Sequence, residues 1–274
     1  MISSTSNGKV KEAAALARKA RYRKETGLFV VEGPKMAAEI PPDQMESVFM
    51  TERFVREQRE RGAEGAAVLE KLEAASVREL VTEEVLRAMS DTQTPQGVLA
   101  LARQRQWRLE EILEAAGAAH LLVLETLQDP GNLGTILRTG EGAGITGVIM
   151  NRETADIYSP KVVRSTMGAI FRVPFVYTDD LPHTLKRLKQ AGVRLYAAHL
   201  KGTRCYDEES YLADTGFLIG NEARGLTEET ASMADAYVRI PMEGQVESLN
   251  AAVAASILMY EVSRQRRKTA VRKM

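Results

Sequence analysis

The chain is poor in the residues that hold metals or disulfides. Cys205 is its single cysteine, so no intramolecular disulfide can form and a multi-thiolate metal site is excluded. His120, His183 and His199 are all its histidines, and without HExxH-like spacing they argue against a histidine-based site too. Long apolar runs are also missing. HLLVLE at 120–125 and AAVAASILMY at 251–260 are too short to cross a bilayer, and residues 1–20 show no signal-peptide pattern. The expectation is a cytoplasmic protein with neither membrane nor metal as partner.

Net charge is absent as well, with 37 basic residues against 37 acidic ones. That zero hides an uneven placement. Residues 1–24 hold seven Lys or Arg against Glu12 alone, and residues 264–274 hold six with no acid, so residues 25–263 must sum to −12. Basic ends suit phosphate contacts, although a solvated helix face plus a tail gives the same pattern.

What is present is the composition of a folded protein: 44% hydrophobic and 27% charged over 274 residues, enough for one large domain or two moderate ones. KVKEAAALARKARYRK at 9–24 reads as a surface helix, LFVVEG at 28–33 as a strand, and a helix follows Pro34. SVFMT at 47–51 is a further strand, TERFVREQRERG is helical, and TPQGVLALARQ at 94–104 closes a small α/β module with a strand. Residues 105–117 suggest a connecting helix, which places an N-terminal domain at 1–105, a linker at 106–118 and a second domain at 119–274. In the second, HLLVLE, GVIMN, RVPFV, RLYAAHL, GFLIG and AYVRI alternate with helical segments, and a long helix begins near Ser248. Such alternation argues for a mostly parallel sheet covered by helices, with ligands at the carboxyl ends of its strands.

GAGITG at 142–147 matches the dinucleotide fingerprint GxGxxG letter for letter. Its context is reversed: a helix precedes the glycines and a strand follows, so no helix N-terminus can receive a pyrophosphate, and a helix C-cap with a tight turn is the better reading.

Three segments carry chemistry: LQDPGNLGTILRTGEGAG at 127–144, SPKVVRSTMGAIFRVPF at 159–175, and LIGNEARGL at 218–226 together with IPMEGQVESLNAAVAASI at 240–257. From the residues alone, DPGN is a turn in which Asn132 can cap the next helix. Gly220 permits close backbone approach at a strand end, and Ser248 can cap the last helix. Arg138 follows the turn by six residues, inside a helix.

In order and spacing these segments resemble the SpoU (TrmH-type) branch of the SPOUT methyltransferases over nearly all of 119–260. FVVEG at 29–33 and SDTQTPQGVLA at 90–100 resemble, more faintly, the ribosomal-protein-like RNA-binding domain that precedes many such catalytic domains. The resemblance implies a trefoil-knotted α/β domain, S-adenosylmethionine as cofactor, a homodimer, and methylation of a ribose 2′-hydroxyl in RNA, 23S ribosomal RNA foremost. A transfer RNA methyltransferase, or an RNA-binding ribosome assembly factor without catalysis, stand as alternatives. It also implies roles: Arg138 positions and polarises the hydroxyl, with general base as an added role; Asn132 and Glu222 fix its geometry; Ser248 and Asn250 contact ribose or cofactor, or cap the helix; Gly220, Ile240, Met242 and Leu249 hold the adenosine end. Guanidinium stays protonated, which makes Arg138 a poor base unless its surroundings change. Ala223 stands where the family commonly has Gly, and Ala251 where Val is usual. A positive φ at 223 would cost alanine about 1 kcal/mol. Phosphate contacts are expected from Lys9, Lys11, Arg18, Lys19, Arg21, Arg23 and Lys24, with residues 1–105 selecting the substrate and 119–274 carrying the chemistry.

Overall fold

The structure, a computed structural model, describes residues 1–115, 117–200 and 202–271. Of the basic C-terminal run, Arg272 and Lys273 lie outside the described residues. The chain divides into two compact units, Met1–Arg105 with Asp156–Phe171, and Gln106–Ala155 with Arg172–Met274.

The first unit opens with helices α1 (Gly8–Arg18) and α2 (Ala20–Thr26), where the sequence suggests one. The break is at Lys19, extended at φ −121°. Arg23 shows why the break persists: its buried guanidinium donates to the carbonyls of Leu16 (2.6 Å) and Ala17 at the end of α1 and to Asp156 Oδ2 (2.6 Å). The expectation that Arg23 contacts phosphate is therefore corrected, because its donors serve the fold. Lys9 pairs with Glu79, Arg21 with Glu25, and Arg18 donates to the Ala88 carbonyl; Lys11, Lys19 and Lys24 are the exposed remainder of that set.

After α2 come β1 (Leu28–Glu32), α3 (Pro34–Ala37), β2 (Met45–Met50), α4 (Glu52–Glu60), α5 (Ala63–Leu72), β3 (Val77–Leu80), α6 (Glu83–Met89) and β4 (Val98–Arg103). The sheet order is β1-β4-β2-β3, with β4 antiparallel to both neighbours and β3 parallel to β2. Val30, Phe49, Leu99 and Leu101 of the sheet form a core with Val10, Ala13 and Leu16 of α1 and Val85, Leu86 and Met89 of α6. Strand β3, with alternate exposure and two charges in four residues, gave too weak a signal to be read from sequence.

The second unit begins with α7 (Leu109–Leu113), shorter than the connecting helix expected, then β5 (His120–Leu124), α8 (Pro130–Ala143) and β6 (Gly147–Asn151). Helix α8 ends on Gly144 in the left-handed region, φ 77°, and the Ile145 N–H closes back on the Gly140 carbonyl, so GAGITG is a helix stop leading into a strand. Helix α9 (Pro160–Thr166) belongs by its contacts to the first unit, where Tyr158 and Phe171 lie against Phe29 with ring centroids 4.7 and 6.1 Å away. The second unit resumes with β7 (Phe175–Thr178), α10 (Leu181–Gln190), β8 (Arg194–Ala198), β9 (Arg204–Cys205), β10 (Thr215–Ile219), α11 (Glu228–Ser232), β11 (Ala236–Arg239) and α12 (Ala251–Val271).

Its sheet runs β7-β6-β5-β10-β8-β11-β9, and every described pairing is parallel. Both faces are covered, which is why β5 and β10 are buried at each position and read as unbroken apolar runs. Leu121, Val123, Ile149 and Leu218 face a core shared with Leu185 and Leu188 of α10. The alternate residues Leu122, Leu124, Val148 and Met150 are buried as well. Helices α8 and α12 pack on one another, and a Cβ at Gly140 would stand 2.3 Å from Ile145 and 3.3 Å from Met259.

Candidate active site

Strands β8, β10 and β11 end together at one edge of the parallel sheet, and the loops that leave them enclose a cavity of about 400 Å³. That volume lies in the range of small-molecule sites. Gly220 and Glu222 after β10, Ile240 and Met242 after β11, and Ser248 and Leu249 before α12 all line it, together with Leu258 of α12. These are six of the nine residues singled out in the sequence. Asn132, Arg138 and Asn250 are not part of its wall.

The loop after β10 is closed by its own backbone: Asn221 N–H donates to the Gly225 carbonyl (3.0 Å) and Gly225 N–H to that of Asn221 (2.9 Å). A Cβ at Gly220 would meet the Gly225 carbonyl carbon at 2.1 Å, so no other residue fits there. The left-handed position of this loop is Gly225, φ 70°, while Ala223 is not among the positive-φ residues and carries no such strain.

Glu222 collects three donors, the Gln128 N–H (3.2 Å), the Asp129 N–H (3.0 Å) and Asn132 Nδ2 (3.0 Å). Burial pushes its pKa up, but the Asn132 amide and the backbone N–H groups outweigh it and hold the carboxyl below the ordinary glutamate value. It is thus an anion that fastens α8 to the β10 loop. Asn132 Oδ1 in turn accepts from Asn250 Nδ2 at 2.9 Å, which carries the network to α12. The cap of α8 is Asp129, whose Oδ1 accepts from Asn132 N–H at 2.8 Å, so Asn132 is released for that network. Asn250 caps α12 through Oδ1, accepting from Ala252 and Val253 N–H; Ser248 stands outside the cap, in the cavity wall.

Arg138 is exposed on α8, and among the described residues it has no hydrogen bond or ion pair with Glu222, Asn132 or any other side chain. Six residues on from Asn132, it is turned by about 120° around the helix. Within one chain the predicted residues therefore form two groups: a cavity wall with its Glu222–Asn132–Asn250 brace, and a free guanidinium on another face. Sequence reading missed His199, which lines the cavity, and the pair Asn151 and Thr126, hydrogen-bonded to each other beside the β10 loop. His199 and Asn151 could have been found from position alone, as residues at the carboxyl ends of β8 and β6.

A doubly covered parallel sheet with a ligand-sized cavity and a polar brace at its carboxyl edge has the site architecture of an α/β enzyme, and solved structures that the chain resembles are SpoU and rRNA methyltransferases. Residues 119–260 match the SpoU rRNA Methylase family and residues 7–100 the MRM3-like substrate binding domain, and the chain belongs to the SpoU family. It is 31% identical over 261 residues to the 23S rRNA (guanosine(2553)-2′-O)-methyltransferase RlmP of Bacillus subtilis, covering 95% of this chain and 98% of that one. An AdoMet-bound rRNA methyltransferase from Sinorhizobium meliloti superposes with a TM-score of 0.81 at 31% identity, covering 96% of this chain and 97% of the other. The SpoU methyltransferase AviRb of Streptomyces viridochromogenes, in complex with AdoMet, gives 0.82 at 25% identity over 96% of this chain and the whole of the other.

Proposed function

We propose that this protein transfers the methyl group of S-adenosylmethionine to a ribose 2′-hydroxyl of RNA, in large-subunit ribosomal RNA. The observation that carries the reading is the cavity at the carboxyl edge, whose wall holds Gly220, Ile240, Met242 and Leu249. Its lining fits the cofactor: apolar Ile219, Leu249 and Leu258 suit a purine ring, and the missing Cβ of Gly220 lets the Gly225–Leu226 backbone close the loop that forms the wall. When bound, the cofactor supplies an electrophilic methyl on a sulfonium, so the protein has only to align and polarise an oxygen nucleophile. Glu222 holds the β10 loop to α8, and Ser248 lies in the wall where a ribose can be received. Arg138 orients and polarises the 2′-hydroxyl, with proton acceptance as an added role.

Arg138 lies outside its own chain's cavity, which supports a homodimer in which a second copy completes the site. Val253 and Tyr260, exposed and seven residues apart on α12, offer that face an apolar surface. Insertion of β10 between β5 and β8, with α12 returning to α8, supports a chain threaded into a trefoil knot. Ribosomal over transfer RNA is supported by the substrate-binding domain matched at residues 7–100 and by the ribosomal target in the Bacillus subtilis relative's name. The cytoplasm is the compartment we assign; among the described residues no helix is long and apolar enough to cross a membrane.

Calorimetry with S-adenosylmethionine should give one site per chain without added metal, and light scattering should give twice 30.2 kDa. Mapping 2′-O-methyl groups in RNA from cells with and without the protein should reveal one missing ribosomal mark. No binding at millimolar cofactor, or unchanged RNA, would overturn the proposal.

A further inference from the structure

Among the described residues Thr126 and Met167 are the non-glycine residues with positive φ, and Thr126, at 56°, lies between β5 and the turn that leads into α8. A β-branched residue is among the least suited to this conformation, which persists only where its surroundings over-determine it. Those surroundings can be named. Thr126 N–H donates to Asn151 Oδ1 at 2.7 Å, and Asn151 Nδ2 donates to Thr126 Oγ1 at 2.8 Å, so one amide grips backbone and side chain together. Thr154, buried, donates to Asn151 Oδ1 (2.8 Å) and accepts from Leu127 N–H (3.3 Å), while Ala155 N–H donates to the Leu127 carbonyl (2.8 Å).

The turn so fixed faces the site on two sides. The Thr126 carbonyl accepts from Asn221 Nδ2 at 2.9 Å, which anchors the β10 loop. Directly after it come the Gln128 and Asp129 N–H groups that hold Glu222. Thr126 also lines a second cavity, of about 310 Å³, together with Gln128, Asn221 and Arg224. Side-chain bonds from the end of β6 thus reach the Glu222 brace directly through the strained Thr126 and, by way of Thr154, through Leu127.

We propose that Asn151 is a positioning residue for the methyl transfer, acting by holding Thr126 left-handed so that the Gln128 and Asp129 amides meet Glu222. It rests on the functional reading above. The test uses the full-length protein, with Asn151→Ala, Thr126→Gly and the double variant. Asn151→Ala should lower kcat roughly tenfold with the RNA KM within about twofold, as expected for an aligning role, and hydrogen exchange should quicken in residues 127–132 but not in β5 or β6. Glycine adopts the left-handed conformation unaided, so Thr126→Gly in the Asn151→Ala background should restore both readouts. Asn151→Asp keeps an acceptor for the Thr126 N–H and offers a second oxygen to which the Thr126 hydroxyl can donate in place of accepting from Nδ2, and should stay close to wild type. If Asn151→Ala does not fold, Asn151→Ser, too short to reach both Thr126 atoms, carries the same expectations. An unchanged kcat, a joint change in kcat and KM, or a loss that Thr126→Gly does not restore would overturn the proposal. A wild-type protein that transfers no methyl would instead sink the functional reading, while the exchange result would still decide whether Asn151 holds the turn.

Discussion

Two charged clusters, one in each unit, are used in opposite ways. In the first, charged groups are enclosed and paired: Arg23 is buried against Asp156 and two carbonyls, and Glu32 accepts from Ser90, Thr92 and the Asp91 N–H with Arg164 3.9 Å away. In the second, at the carboxyl edge of the sheet, Glu222 is exposed and braced mainly by amides, and Arg138 has no partner among the described residues. A buried charge must have its partner inside the fold, because leaving it alone costs several kcal/mol. A charge meant for a substrate must stay unpaired until the substrate arrives, and solvent makes that tolerable. Pairing state therefore separates Arg23 and Glu32, fastened into the fold, from Arg138, left open to a partner, where residue type does not.

The sharpest way to break this comparison is to remove one charge of each kind. Arg138→Ala should lower the transfer rate by about a thousandfold with cofactor affinity and thermal stability unchanged, as read by single-turnover assay, calorimetry and melting. Equal loss of transfer and cofactor binding would show that the guanidinium serves the cavity and not the acceptor. Arg23→Ala should do the reverse, destabilising the protein by about 3 kcal/mol, seen as a lower urea midpoint at constant m-value; a shift under about 0.5 kcal/mol would place Arg23 with surface charges.

A third test concerns a buried neutral group. Burial, reinforced by the charge of Arg266 and opposed by the Gly144 carbonyl, pulls the His120 pKa from 6.5 down to about 4, and its Nε2 has no hydrogen-bond partner among the described residues. The fold thus favours neutral His120, and the unfolded chain takes up a proton first. Stability from this residue is complete above pH 6.5 and is lost as pH falls toward 4, by up to about 3 kcal/mol. His120→Gln should flatten that part of the stability–pH curve, and identical curves for both proteins would refute the assignment.

The smallest effect expected comes from the exposed lysines. Charge reversal at Lys11, Lys19 and Lys24 should each lower the logarithmic salt slope of RNA binding by roughly 0.7 to 0.9. An unchanged slope would move the RNA contact away from the amino-terminal helices.

Much of this was legible beforehand. The strands of the parallel sheet were readable because burial on both faces leaves uninterrupted apolar runs, and Gly220, Glu222, Ile240, Met242, Ser248 and Leu249 share one wall because they follow consecutive strand ends. Less legible was β9, two residues long, since so short a strand has no period. The break at Lys19 was hidden because KVKEAAALARKARYRK has full helical propensity, and only the guanidinium of Arg23 across the end of α1 reveals it. Asn151 could be placed at a strand end, but its hold on Thr126 was illegible because nothing in GVIMN or LET announces a left-handed threonine.

By itself the sequence determined the two sheets' broad character, the reversed setting of GAGITG and the meeting of the 218–226 and 240–257 motifs at one sheet edge, since all these follow from local period and from order along the chain. Only the tertiary structure decided that residues 156–171, inside the family match in sequence, pack on Phe29 of the first unit. Only it showed that Asp129 caps α8 while Asn132 turns to Glu222, that Arg23 is structural, and that Arg138 stands apart from its own cavity. Each of these depends on which partner reaches a polar group first in space, and hydrogen bonds between residues ninety or more positions apart leave no trace in local pattern.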